Sequence, residues 1–143
     1  GDIVCADRGE RLETLLGSCV AVILTDRHRT VGAMCHIVHA GAANDHSSKP
    51  EAHADAAIDT LYRVLSARGY TPKLCDAYVY GGGNMFPMLV DGAHVGQKNS
   101  HCVLERLKRD HVRVVFQDLG GASYRRLSWT IGHEWPVVSA VAV

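Results

Sequence analysis

Two apolar runs separated by a short polar segment most constrain how this chain folds. Residues 19–24 form a compact, largely β-branched run, which is typical of a buried strand. Residues 26–29 are polar and turn-like, and residues 31–38 resume the apolar character. This spacing predicts a β-hairpin over residues 19–38, with its turn centred between Arg27 and His28.

The predicted hairpin brings a thiol and an imidazole together. With the turn at that position, Cys19 lies directly opposite His36. Directly opposed residues of an antiparallel pair point to the same face of the sheet, with Cβ atoms roughly 4.5–5.5 Å apart. A register shift of one residue would put the two side chains on opposite faces. The hypothesis therefore depends on where the turn lies.

Two helices are predicted further along the chain. Residues 48–51 have the S-x-x-E spacing of a capping box, and apolar residues then recur at helical intervals from Ala54 to Leu65, before Gly69. A second, shorter helix is predicted to begin near Asn99 and to run to residue 110. Strands are predicted over residues 74–80, 111–117, 124–131 and 137–143.

These elements predict an α+β fold in which helices cover a sheet or sheets, because strands and helices do not alternate regularly. The chain has 143 residues, of which 47% are hydrophobic. This is enough for one substantial core, so we expect a single domain over residues 1–143.

Composition argues against several classes of protein. Lys plus Arg and Asp plus Glu both number 15, which gives no net charge and disfavours nucleic acid as a partner. The sequence has no apolar run of about 20 residues and no signal-peptide pattern, so we expect a cytoplasmic protein without membrane insertion. The five cysteines include no C-x-x-C pair, which predicts reduced thiols rather than disulfides or a zinc site.

Cys19 stands in surroundings suited to nucleophilic catalysis. A free thiol has a pKa of about 8.5, so a catalytic Cys needs a nearby His or oriented N–H groups. The preceding Gly17 and Ser18 permit a tight backbone whose N–H groups can face an oxyanion. His36 can accept and return the proton, and Thr14 can fix the ring tautomer. The alternative is that Cys19 and His36 are ordinary interior residues.

Other patterns favour structural roles. The glycines at 81–83 suit a sharp bend or a close approach, and the sequence lacks the motifs of a phosphate-binding loop. His36 with His39, or His46 with His53, lacks a recognised metal-ligand spacing, so no metal is expected. Three further interpretations concern polar and aromatic residues: Asn84, Asn99 and Asp118 as turn and cap residues, Asp118 with Arg125 as an ion pair, and Trp129 and Trp135 as core or sheet-face aromatics.

The strongest sequence signal is a set of ordered motifs. Residues 14–22, TLLGSCVAV, resemble the T-x-L-G-S-C-V-A-V signature of the CheD family, and residues 32–36, GAMCH, resemble its G-x-M-x-H motif. Further similar motifs are A-D-A-A at 54–57, G-G-N-M at 82–85, V-G-Q-K-N at 95–99 and D-L-G-G at 118–121 followed by Arg125.

The resemblance implies a fold of packed mixed β-sheets flanked by two main helices, related to that of toxin cysteine deamidases. It implies a protein-glutamine deamidase that converts glutamines of chemotaxis receptors to glutamate and releases ammonia, without metal or cofactor. The catalytic residues would be Cys19, His36 and Thr14, with Ser18 supporting the oxyanion through its backbone. The implied partners are the cytoplasmic helical domain of a chemoreceptor and a CheC-type phosphatase.

Two alternatives to the deamidase hypothesis use the same fold. One is a cysteine amidase, or an esterase that acts on receptor methyl esters, which needs the same Cys and His. The other is a non-catalytic module that binds and regulates a phosphatase.

The position of the threonine differs from that in some CheD proteins, and a structure can show which residue faces His36. Some CheD proteins carry the threonine one residue earlier, where this chain has Glu13. Neighbouring residues of a strand point to opposite faces, so only one of Glu13 and Thr14 can face His36.

Overall fold

A computed structural model describes residues 2–40, 52–85 and 94–141 of the chain. Over these ranges it contains eight strands and two α-helices. The strands are β1 (Ile3–Asp7), β2 (Arg11–Leu16), β3 (Val20–Thr25), β4 (Val31–Ile37), β5 (Asp76–Gly81), β6 (Arg113–Leu119), β7 (Tyr124–Thr130) and β8 (Val137–Val141), and the helices are α1 (Ala54–Ala67) and α2 (Val95–Arg109).

The strands form two sheets. Five of them pair in the order β1-β4-β3-β5-β6, and three pair in the order β2-β7-β8. The larger sheet is mixed, because β5 and β6 run parallel while its other pairs are antiparallel. The smaller sheet is antiparallel. The α+β class, with packed sheets and two helices, is confirmed.

Strand β3 lies at the centre of the packing, and all six of its residues are buried. Val20, Val22 and Leu24 belong to the core that the larger sheet shares with the two helices. Ala21 and Ile23 belong to a second core, between the two sheets. A strand covered on both faces reads as a continuous apolar run, which explains the sequence of residues 20–25.

The predicted hairpin forms, but its register differs from the prediction. Ala21, and not Cys19, lies opposite His36. The turn is therefore centred between His28 and Arg29, one residue later than predicted. Each residue of β3 pairs with a residue of β4 that lies two positions later than the predicted partner. Because the displacement is even, Cys19 and His36 still belong to the same face.

The later turn has a local cause. Asp26 Oδ1 accepts hydrogen bonds from the backbone N–H groups of Thr30 (2.7 Å) and Val31 (3.0 Å). Arg29 adopts a positive φ of 53°, a conformation that is uncommon outside glycine, asparagine and aspartate. These bonds hold the loop whose centre lies one residue later than the sequence predicted.

Helix α1 begins at Ala54, where the helical periodicity of the sequence starts, whereas α2 begins four residues before its predicted position. The N-cap of α1 is His53, and the capping box predicted at residues 48–51 lies outside the described residues. Helix α2 begins at Val95 rather than near Asn99, and its N-cap His94 accepts a 3.1 Å hydrogen bond from the Gln97 N–H. Histidine is not among the preferred N-cap residues, so neither start carried the usual signal.

The predicted strands are present with shifted ends. Residues 72–74 form a short 3₁₀ helix, so β5 starts at Asp76 rather than at residue 74. His111 has a positive φ of 60°, and β6 starts after it, at Arg113. Strand β1 was not predicted, and residues 142–143 of the last predicted strand lie outside the described ranges. No helix in the described part of the chain is long and apolar enough to cross a membrane.

Candidate active site

The candidate site lies at the open end of the β3–β4 hairpin, on the face toward the smaller sheet. Cys19 immediately precedes β3, and His36 is the next-to-last residue of β4. Since Ala21 is opposite His36, Cys19 is its diagonal neighbour. Diagonal neighbours are roughly 7–8 Å apart at Cα, within reach of long side chains. Both residues are half-buried.

Thr14 contacts His36 across the two sheets. In β2, Leu12 and Leu16 are buried between the sheets, and the alternation of the strand places Thr14 on the same side. Thr14 Oγ1 lies 2.9 Å from His36 Nδ1. Glu13 points the other way, where its carboxylate pairs with Arg11 at 3.3 Å. Of the two candidate positions, 14 is the one that reaches the histidine.

This contact sets the chemistry of the imidazole. When His36 Nδ1–H donates to the Thr14 hydroxyl, Nε2 carries the lone pair and is free to accept a proton. The hydroxyl also restricts rotation of the ring. In that tautomer the imidazole can act as a base.

The structure brings Thr14 and His36 into contact, but not Cys19 and His36. Among the hydrogen bonds of the described residues, Thr14 is the side-chain partner of His36, and the Cys19 sulfur is not. The displaced register accounts for this, because it makes the pair diagonal instead of directly opposed. Catalytic hydrogen bonds in unliganded enzymes are commonly long and tighten when substrate binds.

Burial keeps both groups neutral. It raises the pKa of the Cys19 thiol above its ordinary value and lowers the pKa of His36 below 6.5, since a low-dielectric surrounding disfavours each charged form. At neutral pH the site therefore holds a thiol and a neutral imidazole, not a thiolate and an imidazolium.

The glycine loop after β5 binds the backbone around Cys19. The Gly83 N–H donates to the Gly17 carbonyl (2.9 Å), and the Gly82 N–H donates to the Cys19 carbonyl (2.8 Å). The close approach that the sequence predicted for this glycine run is confirmed.

Glycine is required at position 81. Gly81 has a φ of +111°, and a Cβ placed there would lie 2.1 Å from the Cys19 carbonyl oxygen. A side chain would therefore push the backbone around Cys19 away from β5.

A side chain from α2 binds the remaining carbonyl of the segment. Asn99 is fully buried, and its Nδ2 donates to the Ser18 carbonyl at 3.2 Å and to the Val38 carbonyl at 3.0 Å. The carbonyls of residues 17, 18 and 19 thus each accept a hydrogen bond from a distant part of the chain. In a trans peptide the N–H points opposite to the C=O, so these bonds also fix the directions of the amides of residues 18–20.

The predicted Asp118–Arg125 pair is confirmed, with 3.2 Å between Arg125 Nη2 and Asp118 Oδ1. The same guanidinium also donates to the carbonyls of Gly81 (3.2 Å) and Gly120 (2.7 Å). Arg125 belongs to β7, so this network ties the smaller sheet to the end of β5 that supports the backbone around Cys19.

Asn99 is the residue of this arrangement whose role the sequence analysis missed, because it was interpreted as a turn or cap residue. One signal pointed to burial: Gly96 and Val103 lie three residues before it and four after it, on the same face of the helix. A buried asparagine needs hydrogen-bond partners, so this pattern indicated a contact with backbone or another polar group.

The histidines form no evident metal site in the described ranges. No group of three or more His, Cys, Asp or Glu side chains there could hold a metal ion. The rings of His39 and His53 are neighbours, with centroids 5.0 Å apart, and His46 lies outside the described residues.

Comparisons with known proteins agree on one family. The family model described as CheD chemotactic sensory transduction matches residues 39–133. A relative from Pseudomonas syringae, named "Probable chemoreceptor glutamine deamidase CheD", is 33% identical over 94% of this chain and 79% of its own length. A relative of the same name from Methanococcus vannielii is 36% identical over 87% of this chain and 81% of its own length.

A solved structure shares the fold. It is a Neisseria meningitidis protein of the DUF152 family, with a TM-score of 0.53 and 14% sequence identity over 92% of this chain. This chain spans 65% of the length of that protein.

Proposed function

Because this chain belongs to the CheD family, we propose that it is a deamidase that hydrolyses glutamine side chains of chemotaxis receptors to glutamate. The relatives from Pseudomonas and Methanococcus bear the name of this activity. One observation carries the proposal for this chain: the 2.9 Å contact between Thr14 Oγ1 and His36 Nδ1, on the same sheet face as the half-buried Cys19. We assign Cys19 as the nucleophile, His36 as the general acid and base, and Thr14 as the group that orients His36.

In the first step, the Cys19 sulfur attacks the carboxamide carbon of a glutamine side chain. His36 Nε2 takes the thiol proton, and a C–S bond forms as the carbonyl oxygen becomes an oxyanion. The imidazolium then gives the proton to the departing nitrogen, the C–N bond breaks, and ammonia leaves. The product is a thioester between Cys19 and the former glutamine side chain.

In the second step, water hydrolyses the thioester. His36, neutral again, removes a proton from the water as its oxygen attacks the thioester carbon. The C–S bond breaks, and the sulfur leaves with the proton from His36. The substrate now carries a glutamate side chain, and the thiol and the neutral imidazole are restored.

The backbone around Ser18 supplies the proposed oxyanion donors. Donors of the oxyanion must point in a fixed direction before the reaction begins, and the three bound carbonyls of residues 17–19 support this by holding the adjacent amides. Within the described part of the chain, the Cys19 N–H makes no backbone hydrogen bond, so it is available to an incoming oxyanion.

The partners belong to the same proposal. The substrate surface would be the cytoplasmic helical domain of a chemoreceptor, which places the enzyme in the cytoplasm. The resemblance of the sequence motifs also supports a CheC-type phosphatase as a binding partner. A binding assay with purified phosphatase and the Cys19→Ala protein tests this separately from catalysis.

Peptide mass spectrometry tests the activity. The protein is incubated with a chemoreceptor cytoplasmic fragment, and each hydrolysed glutamine gains about one dalton as the amide becomes an acid. We expect this gain with the wild-type protein and none with Cys19→Ala. Cys5→Ala is the matched control, because Cys5 packs on the helix-covered face of the larger sheet, away from the site.

The products separate the proposal from its alternatives. Deamidation releases ammonia in proportion to the mass change. Methanol release from receptor methyl esters, without any mass change at glutamines, would instead indicate an esterase. Phosphatase binding together with no modification of receptor would indicate a regulatory module.

A further inference from the structure

Asn99 links the backbones next to β3 and β4 beyond the last residue pair of the two strands. The last pair of the β3–β4 ladder is Val20 with Ile37. Beyond it, the Ser18 and Val38 carbonyls both accept hydrogen bonds from Asn99 Nδ2, at 3.2 and 3.0 Å. One amide group therefore bridges the residue before Cys19 and the residue two positions after His36.

The orientation of the Asn99 amide follows from its partners. Both partners are carbonyl oxygens, so only the NH₂ group, with its two donors, can satisfy them. The opposite orientation would place Asn99 Oδ1 against two acceptors. In the orientation found, Oδ1 is buried, and no donor of the described residues reaches it. A buried acceptor without a partner disfavours folding, so packing alone does not account for an asparagine here.

The helix that carries Asn99 lies directly against the glycine loop. A Cβ placed on Gly96 would lie 2.3 Å from the Gly83 carbonyl oxygen and 2.5 Å from the Gly82 carbonyl oxygen. The first turn of α2 therefore touches the same two residues whose N–H groups bind the carbonyls of Gly17 and Cys19. This contact sets the distance between Asn99 and the backbone of residues 17–19.

We propose that Asn99 is a positioning residue that sets the geometry between the Cys19 thiol and the His36 imidazole, an inference that rests on the proposed deamidase function. Of the three donors that bind the carbonyls of residues 17–19, Asn99 is the one that donates from a side chain, so substitution can remove it. Without its NH₂ group, the carbonyl of residue 18 loses the hydrogen bond that fixes the direction of the peptide between residues 18 and 19. The end of β4 beyond His36 loses its tie to that peptide at the same time.

Two substitutions at Asn99 and one control on the same helix test the proposal. Asn99→Leu keeps the branched shape of the side chain, with a larger volume, and removes both donors, whereas Asn99→Ser keeps one hydroxyl donor in a smaller side chain. Val103→Ala is the matched control, because Val103 is fully buried on the same helix face and packs in the helix-covered core. It weakens the packing of α2 without touching the hydrogen bonds of Asn99.

Two readouts are compared with thermal unfolding of each variant. The first is kcat and KM for receptor glutamine deamidation. The second is the pH dependence of Cys19 alkylation by iodoacetamide, followed by mass spectrometry of the peptide that contains Cys19. The peptide measurement distinguishes this thiol from the other four cysteines.

We expect Asn99→Leu to lower kcat by about 10- to 100-fold with KM changed less than about threefold, because misplacement of reacting groups by about 1 Å has effects of this size. The midpoint of Cys19 alkylation should move by about half a pH unit or more, since coupled groups titrate together. Val103→Ala should lower the melting temperature and leave both readouts unchanged. If Asn99→Leu does not fold, Asn99→Ser should show the same changes at smaller size.

The proposal is overturned if the folded Asn99 variants match Val103→Ala in kcat and in the alkylation profile. Its failure can be told apart from that of the proposed function. A wild-type protein that does not modify receptor glutamines contradicts the function, while the alkylation profiles still report whether Asn99 controls the environment of Cys19.

Discussion

The two ends of the β3–β4 hairpin are held together in different ways. At the turn end, a side chain of the loop itself binds the backbone: the Asp26 carboxylate accepts from the N–H groups of Thr30 and Val31. Arg29 adds bonds from the loop to the His133 carbonyl and the Tyr78 hydroxyl. At the open end, the backbone around Cys19 is held by Gly82, Gly83 and Asn99, more than sixty positions further along the chain.

This difference separates stability from function within one element. The turn end is polar and mostly exposed, and its bonds specify where the chain reverses. The open end holds neutral, half-buried reactive groups whose geometry depends on three other segments. Changes at the open end should therefore affect catalysis more than folding, and changes at the turn end should do the opposite.

The largest effect is expected from His36→Gln at the open end. This substitution removes the proposed general acid and base. Such a group typically contributes 10²- to 10⁴-fold, and we expect kcat to fall by about that amount. Ammonia release from a receptor fragment measures it, and thermal unfolding checks that the protein is folded. An activity loss of less than about tenfold would show that another group moves the proton.

A smaller effect is expected from Thr14→Val, which keeps the shape of the side chain and removes the hydroxyl next to His36 Nδ1. Loss of the preferred tautomer and ring orientation should lower kcat by about 10- to 100-fold. Thr14→Ser should restore most of the activity, and Glu13→Gln should change little because Glu13 faces solvent. Equal activities of the valine and serine variants would contradict the orienting role.

The smallest effect on catalysis is expected from Asp26→Ala at the turn end. Two backbone donors lose their acceptor, and the free energy of unfolding should fall by about 1 kcal/mol, given the exposure of this loop. The activity of the folded protein should be unchanged. Urea unfolding and ammonia release measure the two quantities, and a loss of kcat without a loss of stability would contradict the division between the two ends.

The effect of Asp26→Ala should also depend on pH. Burial opposes ionisation of Asp26, but the backbone donors of Val31 and Thr30 outweigh it, and the pKa lies below its ordinary value of 3.8. A lowered folded-state pKa contributes stability above the unfolded-state pKa and loses it as the pH falls through the folded-state pKa. The stability difference between wild type and variant should therefore narrow below pH 3.8.

The same contrast explains what the sequence could predict. The local pattern of residues 19–38 predicted the hairpin, its polar turn, and the shared sheet face of Cys19 and His36. The predicted centre of the turn was wrong, because the pattern did not indicate the bonds of Asp26 to Thr30 and Val31. His36 was identified from the predicted hairpin and Thr14 as a group that can fix its tautomer, and the CheD motifs supported both. No local pattern relates β2 to β4, so the contact between the two residues could not be derived from spacing. Asn99 was interpreted wrongly, because its partners, the carbonyls of Ser18 and Val38, carry no signal in the sequence.

The most direct test of the central claim is to trap the covalent intermediate. Wild-type protein is mixed with a receptor fragment, the reaction is stopped with acid within its first turnovers, and the cysteine peptides are examined by mass spectrometry. The mechanism predicts a thioester at Cys19 whose added mass is that of the receptor peptide less one ammonia. The Thr14→Val protein should accumulate more of this thioester than wild type if the substitution slows thioester hydrolysis more than thiol attack. Deamidated receptor with the intermediate on another cysteine, or with Cys19→Ala fully active, would contradict the assignment of Cys19 as the nucleophile.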